Sequence, residues 1–450
     1  MAAVDGRSGF AAIDSDIELL ESHFMHSDIV IVGGGAGGLE LAARLGRSLG
    51  AKQGRERVLL VDRSPFHIWK PTLHEVAAGT LDVHQEGLSY PVLARRNHFG
   101  FAIGDLVGLD AARKTIELGE IRNAEGELLV PRRTVSYTRL VLAIGSGSNA
   151  FGTPGIEHAY LLENVRDAQR FHTDWLGACA RASFSESRAL SIAIVGAGAT
   201  GVELSAELLE AYAELLESLG SSQRFRLDIT LVEGGSRILG GLPEKISAQA
   251  EVALRRKQVQ VLTGTRVTEI RRGALVTPAG EIPADMVVWA AGIKAAEGNA
   301  RMGLEVNRLN QFIVDDRLRT SAPDVLALGD CAACPWVDGK TVPARAQAAH
   351  QQADYLAKVL GALLREREMT EPFIYKDFGS LVSLGDNKGV GNLMGGLGGR
   401  NFFVEGLIAK WMYISLHLNH HRAILGTGKT VVLALARLLQ QRVSGRLKLH

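Results

Sequence analysis

The sequence predicts an α/β protein with two Rossmann-like dinucleotide-binding domains and a C-terminal amphipathic membrane-anchoring region. Three observations support this fold class. A glycine-rich turn of the form G-x-G-x-x-G occurs twice, each time between an apolar run and a stretch with helical periodicity. Each turn is followed by a second apolar run that ends in an acidic residue. The last fifty residues combine apolar side chains at helical spacing with an excess of basic residues.

The first turn contains Gly33, Gly35 and Gly38. Glycines at this spacing permit a tight turn, close approach of the backbone to a pyrophosphate, and close packing of the helix on the strand. The N-terminus of the helix then faces the anion. We expect this helix to cover about residues 37–49. The next strand ends at Asp62, where a carboxylate would hold the hydroxyl groups of a ribose.

The second turn contains Gly196, Gly198 and Gly201, and the strand after it ends at Glu233. The same reasoning assigns it a second dinucleotide. Two dinucleotides in one chain indicate electron transfer between them. The alternative interpretation is that the repeated motif is purely structural.

Composition narrows the class of protein. The chain has 450 residues and 46% hydrophobic content, enough for two or three domains with their own cores. A formal net charge of +1 gives no reason to expect nucleic acid as a partner. Residues 401–450 carry seven basic residues and one acidic residue, a net charge of +6, which favours contact with a membrane surface.

Localisation signals are few. Three cysteines cannot build a secreted-type disulfide framework, and the N-terminus lacks the apolar core of a signal peptide. No uncharged apolar run is long enough to span a bilayer. We therefore expect a cytosolic protein bound peripherally at the cytoplasmic face of the cell membrane.

The order of these features predicts four segments. Residues 1–26 form a mobile extension. Residues 27–156 and 293–370 form a discontinuous first nucleotide domain, and residues 157–292 form the second, inserted domain. The insertion follows from the strand that ends at Asp330, because nothing in the second domain lacks a strand. Residues 371–450 form the membrane-association domain, strand-like to about residue 400 and helical thereafter.

Asp330 directly follows a strand and a glycine, which would place its carboxylate beside the ribityl chain of a flavin. The alternative role is a helix N-cap, for which Asp is well suited. A helix follows in which Gln347 and Gln351 share a face. Two uncharged amides suit a ligand with neutral carbonyl groups, and the alternative is an ordinary solvated helix surface.

Two further motifs have competing interpretations. Cys331 and Cys334 form C-x-x-C, which is used by redox dithiols and by metals, but simple packing is favoured and no metal site is expected. The sequence GTGKT, Gly426–Thr430, imitates the end of a P-loop, but the required first glycine is Ala423 and no strand precedes it. We expect no nucleotide there.

The C-terminal region has apolar residues close to helical periodicity with basic residues around them. Such helices lie in the membrane interface, and the alternative is a pair of dimerisation helices. Three histidines on this region are expected on an interfacial polar face rather than as metal ligands. The apolar residues are Phe403, Leu407, Trp411, Ile414, Leu418 and Leu425, then Val432, Leu435 and Leu439, and the histidines are His417, His420 and His421.

Taken together, these segments resemble the type II NADH dehydrogenases, the single-subunit, non-proton-pumping NADH:quinone oxidoreductases of bacterial respiratory chains. The resemblance covers about residues 27–450. Its motifs are VDRSPFHIWKPTLHEVAAGTLD, GATGVELSAEL, MVVWAAGIKA, ALGDCAACP, RAQAAHQQA, YKDFGSLVSLG and RLKLH, of which the A-Q-x-A-x-Q-Q string at Ala346–Gln352 is the most specific.

The resemblance implies a homodimeric enzyme that transfers electrons from NADH through non-covalent FAD to a membrane quinone. The first nucleotide domain would bind FAD and the second NADH. Glu203 would lie near the contact between nicotinamide and flavin, and Gln347 and Gln351 would flank the quinone. The implied FAD contacts are Gly33, Gly34, Gly35, Ala36, Gly37, Asp62, Arg63, Leu106, Asp330, Ala349, His350 and Lys410, and the NADH contacts are Gly196, Gly198, Gly201 and Glu233.

Three other functions remain open from the residues alone. A sulfide:quinone oxidoreductase needs cysteines that bracket the flavin, and Cys331 and Cys334 are close in sequence to a flavin motif. A soluble disulfide reductase would carry a cysteine pair after the first strand–helix unit, where none occurs. A nucleotide-sensing flavoprotein without enzymatic activity would keep both glycine turns.

Overall fold

The computed structural model describes residues 25–385, 389–394, 401–405 and 407–443, with side chains for residues 25–385, 390, 414–437 and 439. Two compact units make up these residues. Unit 1 comprises the described residues up to His67, together with Ser89–Gly145 and Ala295–Ile374. Unit 2 comprises Ile68–Leu88, Ser146–Lys294 and the described residues from Tyr375 onward.

The α-helices of the described residues are, in chain order, α1 (Ala36–Arg57), α2 (Leu73–Ala78), α3 (Val83–Glu86), α4 (Tyr90–Asn97), α5 (Val165–Phe184), α6 (Ala199–Ser218), α7 (Glu244–Arg256), α8 (Ala346–Leu363), α9 (Leu407–Leu425) and α10 (Thr427–Val443).

The strands are β1 (Met25–Val32), β2 (Val58–Asp62), β3 (Phe66–His67), β4 (Leu88–Ser89), β5 (Gly100–Ile103), β6 (Leu106–Asp110), β7 (Thr115–Leu118), β8 (Ile121–Arg122), β9 (Leu128–Val130), β10 (Arg133–Leu142), β11 (Gly147–Ser148), β12 (Tyr160–Leu161), β13 (Ala189–Val195), β14 (Arg226–Val232), β15 (Gln260–Leu262), β16 (Glu269–Arg271), β17 (Ala274–Thr277), β18 (Gly280–Pro283), β19 (Met286–Trp289), β20 (Ile293–Lys294), β21 (Phe312–Ile313), β22 (Val325–Ala327), β23 (Ala332–Ala333), β24 (Gly379–Ser383), β25 (Gly389–Met394) and β26 (Asn401–Glu405).

Unit 1 is built on a sheet in the order β5-β2-β1-β10-β7-β6, and β22 pairs with the second half of β10. The pairs of β1 with β2 and β10, of β2 with β5, and of β10 with β22 are parallel. Ile29–Val32 in β1 are buried on both faces of this sheet, which explains why the sequence reads as a continuous apolar run. The strand before Asp330 thus belongs to the first sheet, as the sequence predicts.

The first helix is interrupted close to its predicted end and then resumes. It begins at Ala36 and continues to Arg57, eight residues beyond the expected end near position 49. Gly50 has a φ of +74°, which kinks the helix where it was expected to stop. Likewise, β1 begins at Met25, two residues before the predicted first domain.

Unit 2 contains a parallel sheet in the order β12-β19-β13-β14-β15 and an antiparallel sheet formed by β16, β17 and β18. In the parallel sheet β13 leads into the second glycine turn, and its neighbours are β14, which ends next to Glu233, and β19. This matches unit 1, where β1 lies between β2 and β10. The repetition of the glycine turn in the sequence therefore extends to the strand order of the two units.

The third glycine of each turn sets how closely the helix approaches its strand. A Cβ atom added to Gly38 would overlap the carbonyl oxygen of Gly33, and one added to Gly201 would overlap that of Gly196. In both units the helix can only pack at this distance because the residue has no side chain.

The described C-terminal part of unit 2 consists of the antiparallel strands β24, β25 and β26 followed by α9 and α10. The prediction that this region is helical from about residue 400 was wrong at its start, because Phe403 lies in β26. No helix among the described residues combines the length and apolar character needed to cross a bilayer.

Candidate functional site

The first glycine turn presents backbone amides at the N-terminus of α1. Gly33 has a φ of +104°, and its amide donates to the carbonyl oxygen of Val61 at 2.8 Å. Gly35 is the N-cap of α1, and a Cβ atom built there would meet nothing within 4 Å. The first amides of a helix have no partner within the helix, so this open turn can bind an anion.

Asp62 lies beside this turn at the end of β2. One carboxylate oxygen accepts from the amide of Gly34 at 2.6 Å, and the other accepts from Ser64 at 2.8 Å. Burial raises the pKa of Asp62, while these two backbone hydrogen bonds and the nearby Arg63 oppose the increase. The carboxylate is therefore held by backbone donors at the place where a ribose would lie.

The second turn repeats this construction in unit 2. Gly196 has a φ of +100° and donates to the carbonyl oxygen of Val232 at 2.8 Å. Glu233 accepts from the amide of Ala197 at 2.8 Å and from that of Gly235 at 2.7 Å. A Cβ atom at Gly198 would again meet nothing within 4 Å.

Asp330 lies in a short 3₁₀ turn, Gly329–Cys331, directly after β22. The alternative role as the N-cap of the following helix was wrong, because the N-cap of α8 is Arg345. Two side chains hold this turn: Gln352 accepts from the amide of Gly329 at 2.7 Å, and Gln311 donates to the carbonyl oxygen of Asp330 at 2.9 Å.

The predicted flavin contacts of unit 1 come close to one another around the first turn. A Cβ atom at Gly37 would lie 3.1 Å from the carbonyl oxygen of Ala349, and one at Gly329 would lie 3.5 Å from the Cβ of Ala349. The amide of Gly104 donates to the carbonyl oxygen of Asp62 at 2.9 Å, which brings the chain before Leu106 to the same edge. The turns at 33–38 and 329–331 and the start of α8 therefore form one site.

Helix α8 carries three further predicted residues. His350 donates from Nδ1 to the buried carboxylate of Glu40 on α1 at 2.6 Å. Gln347 and Gln351 are half-buried, one turn apart on the same helix. Lys410 lies in α9, but its side chain is outside the described residues.

Glu203 lies in the first half of α6 and is buried in unit 2. Its carboxyl group accepts from the amide of Ser383 at 3.0 Å, and its other oxygen is 3.7 Å from Nδ1 of the buried His74. Burial raises the pKa of Glu203 to about 8 and lowers the pKa of His74 to about 4. Both shifts favour the uncharged forms, so at neutral pH this is a neutral acid beside a neutral imidazole rather than an ion pair.

The C-x-x-C pair is part of the packing of unit 1. Cys331 and Cys334 are buried and not disulfide-bonded. Cys331 lies 3.4 Å from the carbonyl oxygen of Leu142, and burial raises the pKa of both thiols to about 12. Because the thiolate is the reactive form, these groups are poor nucleophiles at neutral pH. The packing interpretation is favoured over a redox dithiol.

The C-terminal histidines are not on an exposed polar face. His417 stacks on Trp69 with ring centroids 4.7 Å apart, and His420 and His421 are buried. Burial lowers the pKa of His417 to about 3 and that of His421 to about 4, with smaller contributions from the other histidines of the group. The interfacial prediction was therefore wrong. Across the described residues, no cluster of His, Cys, Asp or Glu could hold a metal ion.

The P-loop-like sequence joins two helices. Gly426 ends α9 with a φ of +80°, and α10 begins at Thr427. A P-loop requires a strand before the glycine-rich turn, whereas helix α9 precedes this one.

Sequence reasoning missed several residues that shape these sites. Gln352 follows Gln351 directly, and helical periodicity separates the two faces by about 100°, so this position could have been assigned to the core side of α8. His67 and Tyr90, which contact the first turn, lie in β3 and α4, and His74, which faces Glu203, lies in α2. Their spacing in the sequence contains no signal for these contacts.

Comparison with known proteins supports a common origin for this arrangement. The family model for pyridine nucleotide-disulphide oxidoreductases matches residues 27–353. A type II NADH:quinone oxidoreductase of Haemophilus influenzae is 41% identical over 447 residues, which cover 94% of this chain and 100% of that protein. The Staphylococcus aureus protein of the same name is 28% identical over 378 residues, covering 82% of this chain and 90% of that protein.

Solved structures share the fold at lower sequence identity. The structure of NDH2 from Plasmodium falciparum in complex with NADH has a TM-score of 0.78 at 18% identity, covering 93% of this chain and 99% of that chain. A ferredoxin reductase from Rhodopseudomonas palustris has a TM-score of 0.61 at 22% identity, covering 82% of each chain. The duplicated glycine turns, the family model and the extent of the sequence identity lead to one conclusion: the chain is a pyridine nucleotide-disulphide oxidoreductase and belongs to the type II NADH:quinone oxidoreductase family.

Proposed function

We propose that the chain oxidises NADH at the glycine turn of unit 2, holds FAD at the glycine turn of unit 1, and reduces a membrane quinone. Membership of the family makes it a flavoprotein oxidoreductase that transfers electrons from NADH to a quinone. The observation that carries the assignment is the duplicated turn, in which open amides lie beside a carboxylate held by two backbone donors.

The residues of unit 1 fit FAD. The first turn is open at Gly35, its helix N-terminus suits a pyrophosphate, and the Asp62 carboxylate suits a ribose. When bound, FAD accepts two electrons and a proton from NADH and passes the electrons to the quinone. The holding residues would be Gly33, Gly34, Gly35, Ala36, Gly37, Asp62, Arg63, Leu106, Asp330, Ala349 and His350; the side chain of Lys410, the remaining predicted contact, lies outside the described residues.

In unit 2, Gly196, Gly198 and Gly201 would receive the pyrophosphate of NADH, and Glu233 would accept hydrogen bonds from the adenosine ribose. Arg237 follows closely and could in principle bind the 2′-phosphate of NADPH. Its guanidinium instead donates to the carbonyl oxygens of Leu242 at 2.8 Å and Gly240 at 2.7 Å. The guanidinium of Arg237 is thus hydrogen-bonded to its own turn, which supports discrimination against NADPH.

We expect NADH to be preferred strongly over NADPH, because Glu233 repels a 2′-phosphate. The measurement is kcat/KM for both nucleotides with the same quinone. Glu233→Gln should lower the ratio of kcat/KM for NADH to kcat/KM for NADPH, because it removes the negative charge. Glu269→Gln, at an exposed carboxylate elsewhere in unit 2, should leave this ratio unchanged. Equal kcat/KM values for NADH and NADPH in the wild type would contradict the assignment.

Glu203 would lie beside the nicotinamide as a neutral, buried acid that holds its proton at neutral pH. The raised pKa of Glu203 makes the free energy of unfolding depend on pH. Between its unfolded pKa near 4.5 and its folded pKa of about 8, the native state binds more protons than the unfolded state, so stability falls as pH rises. The lowered pKa of His74 acts in the opposite direction, but only between about 4 and 6.5.

Between pH 6.5 and 8, therefore, the change in the free energy of unfolding with pH should reflect Glu203 and not His74. As the pH rises over this interval, we expect Glu203→Gln to lose less free energy of unfolding than wild type does. The difference should be at most about 1.4 kcal/mol per pH unit. Urea unfolding at several pH values measures the slope. Glu217→Gln, at an exposed position near the end of the same helix, is the control. An unchanged slope in Glu203→Gln would mean that the carboxyl group is already ionised at neutral pH.

Gln347 and Gln351 would donate from their amides to the carbonyl oxygens of the quinone. Support comes from their common face on α8 and from their neighbour Gln352, which is committed to the Asp330 turn. One face of the helix thus serves the flavin turn, and Gln347 and Gln351 lie on the face next to it.

Gln351→Ala should raise the KM for a short-chain quinone about two- to tenfold, the effect of one neutral hydrogen bond, while NADH bleaches the flavin at a near-normal rate. Gln352→Ala is the contrasting variant and should reduce flavin retention instead. Stopped-flow absorbance separates flavin reduction from its reoxidation. If Gln351→Ala slows the reduction of the flavin by NADH and leaves the quinone kinetics unchanged, the assignment of these amides to the quinone is wrong.

Helices α9 and α10 would bind lipids at the cytoplasmic face of the membrane. Val432, Leu435 and Leu439 of α10 are 67%, 55% and 66% exposed. Arg437 lies on the opposite side of that helix at 100° per residue, where it forms an ion pair with Glu86 of α3 in unit 2. The polar face is therefore turned toward the protein, and the apolar face is turned away from it.

Replacing Val432, Leu435 and Leu439 together by Ser should weaken binding to anionic lipid vesicles without unfolding the protein, because these side chains are exposed. Leu128→Ser/Leu129→Ser, at exposed apolar positions of unit 1, is the control. This design is preferable to deleting residues beyond 400, which would remove β26 from its sheet. Unchanged vesicle sedimentation would contradict a lipid-binding role, and a changed sedimentation coefficient in solution would identify α10 as the face of the proposed homodimer instead.

A further inference from the structure

The peptide that links Gly34 to Gly35 in the first turn is held from inside the protein. The carbonyl oxygen of Gly34 accepts from the hydroxyl group of Tyr90 at 2.7 Å and from Nδ1 of His67 at 3.0 Å. On its other side, the amide of Gly34 donates to Asp62 at 2.6 Å. Two side chains from separate segments thus converge on a single carbonyl group.

Holding this carbonyl sets the direction of the next amide. The described residues contain no cis peptide bond, and in a trans peptide the C=O of one residue and the N–H of the next point in opposite directions. With the Gly34 oxygen fixed toward Tyr90 and His67, the Gly35 amide must point away from them, to the open side of the turn. That amide is among the first of α1 and is available to an anion.

The position of Tyr90 is itself well defined. It is the first residue of α4, is only 3% exposed, and its ring stacks on Phe101 with centroids 5.2 Å apart. Burial, with the nearby Asp62, raises the pKa of Tyr90 well above its usual value, so the hydroxyl group remains a donor. A Cβ atom at Gly34 would overlap this hydroxyl group, which explains the additional glycine in the first turn.

The second turn holds the equivalent carbonyl in a different way. Ala197 occupies the position that corresponds to Gly34, and its oxygen accepts from the backbone amide of Leu239 at 2.7 Å. Leu239 adopts a left-handed conformation with a φ of +49°. A single main-chain donor therefore does in unit 2 what two side-chain donors do in unit 1.

This difference agrees with the different times for which the two proposed ligands must stay bound. NADH must leave after each turnover, whereas FAD must stay. We propose that Tyr90 and His67 are positioning residues that retain the flavin, by keeping the Gly35 amide aimed at its pyrophosphate. The inference rests on the proposed placement of FAD in unit 1 and adds two residues that do not themselves touch the cofactor.

The test measures FAD release from the purified holoenzyme, as the rise in flavin fluorescence after dilution, together with the ratio of FAD to protein. Tyr90→Phe should release FAD about three- to tenfold faster, the effect of one hydrogen bond. His67→Leu should do the same, and His67→Asn should stay near wild type because its amide can donate to the same carbonyl. The double variant Tyr90→Phe/His67→Leu should exceed either single change.

Tyr137→Phe is the matched control. Tyr137 is a buried tyrosine of β10 in the same unit, and its hydroxyl group has no hydrogen-bond partner within the described part of the chain, so FAD release should stay within about twofold of wild type. The affinity for NADH should be unchanged in every variant, because its turn lies in unit 2. If Tyr90→Phe fails to fold, the comparison of His67→Leu with His67→Asn decides the question.

The outcomes separate this inference from the function on which it rests. Wild-type protein that purifies without FAD and does not take it up would overturn both. Wild-type protein that holds FAD while Tyr90→Phe releases it at the rate of Tyr137→Phe would overturn only the retention role. Faster release in both His67→Leu and His67→Asn would also overturn it, since the loss would then follow from packing rather than from the hydrogen bond.

Discussion

Both halves of the molecule depend on the approach of a helix N-terminus to the end of a parallel strand. At Gly38 and Gly201 the helix lies so close to the first glycine of the turn that no side chain fits between them. This contact leaves the initial amides of α1 and α6 open, and it brings the acid at the end of the neighbouring strand within hydrogen-bonding distance of the turn. The anion binding, the ribose binding and the preference for NADH that we propose all depend on this single packing constraint.

Burial then decides what the polar groups near these turns can do. Asp62 keeps its place through two backbone donors although burial opposes its charge. Glu203 has a single backbone donor, the amide of Ser383, and burial outweighs it, so that Glu203 and the buried His74 are both neutral at physiological pH. The thiols of Cys331 and Cys334 are inert for the same reason. A cysteine pair beside a flavin turn therefore indicates disulfide chemistry only where its surroundings stabilise a thiolate.

The C-terminal helices show how one segment can serve two environments. Arg437 and His417 commit one side of the helix pair to the protein, through Glu86 and the ring of Trp69. Val432 and Leu435 remain on the outer side, where water alone would not favour them. Because the polar contacts use side chains of the 68–88 segment, which also carries His74 opposite Glu203, the same stretch of unit 2 supports both the proposed membrane contact and the surroundings of the proposed NADH site.

The sequence by itself determined the features that follow from local periodicity and glycine spacing. The two turns, the strands that lead to Asp62 and Glu233, and the common face of Gln347 and Gln351 are all encoded by neighbours along the chain. Only the tertiary structure decided the rest. The burial of His417 and the convergence of Tyr90 and His67 on the Gly34 carbonyl depend on segments far apart in sequence. Spacing cannot reveal such contacts, because they form only when packing brings separate elements to the same point.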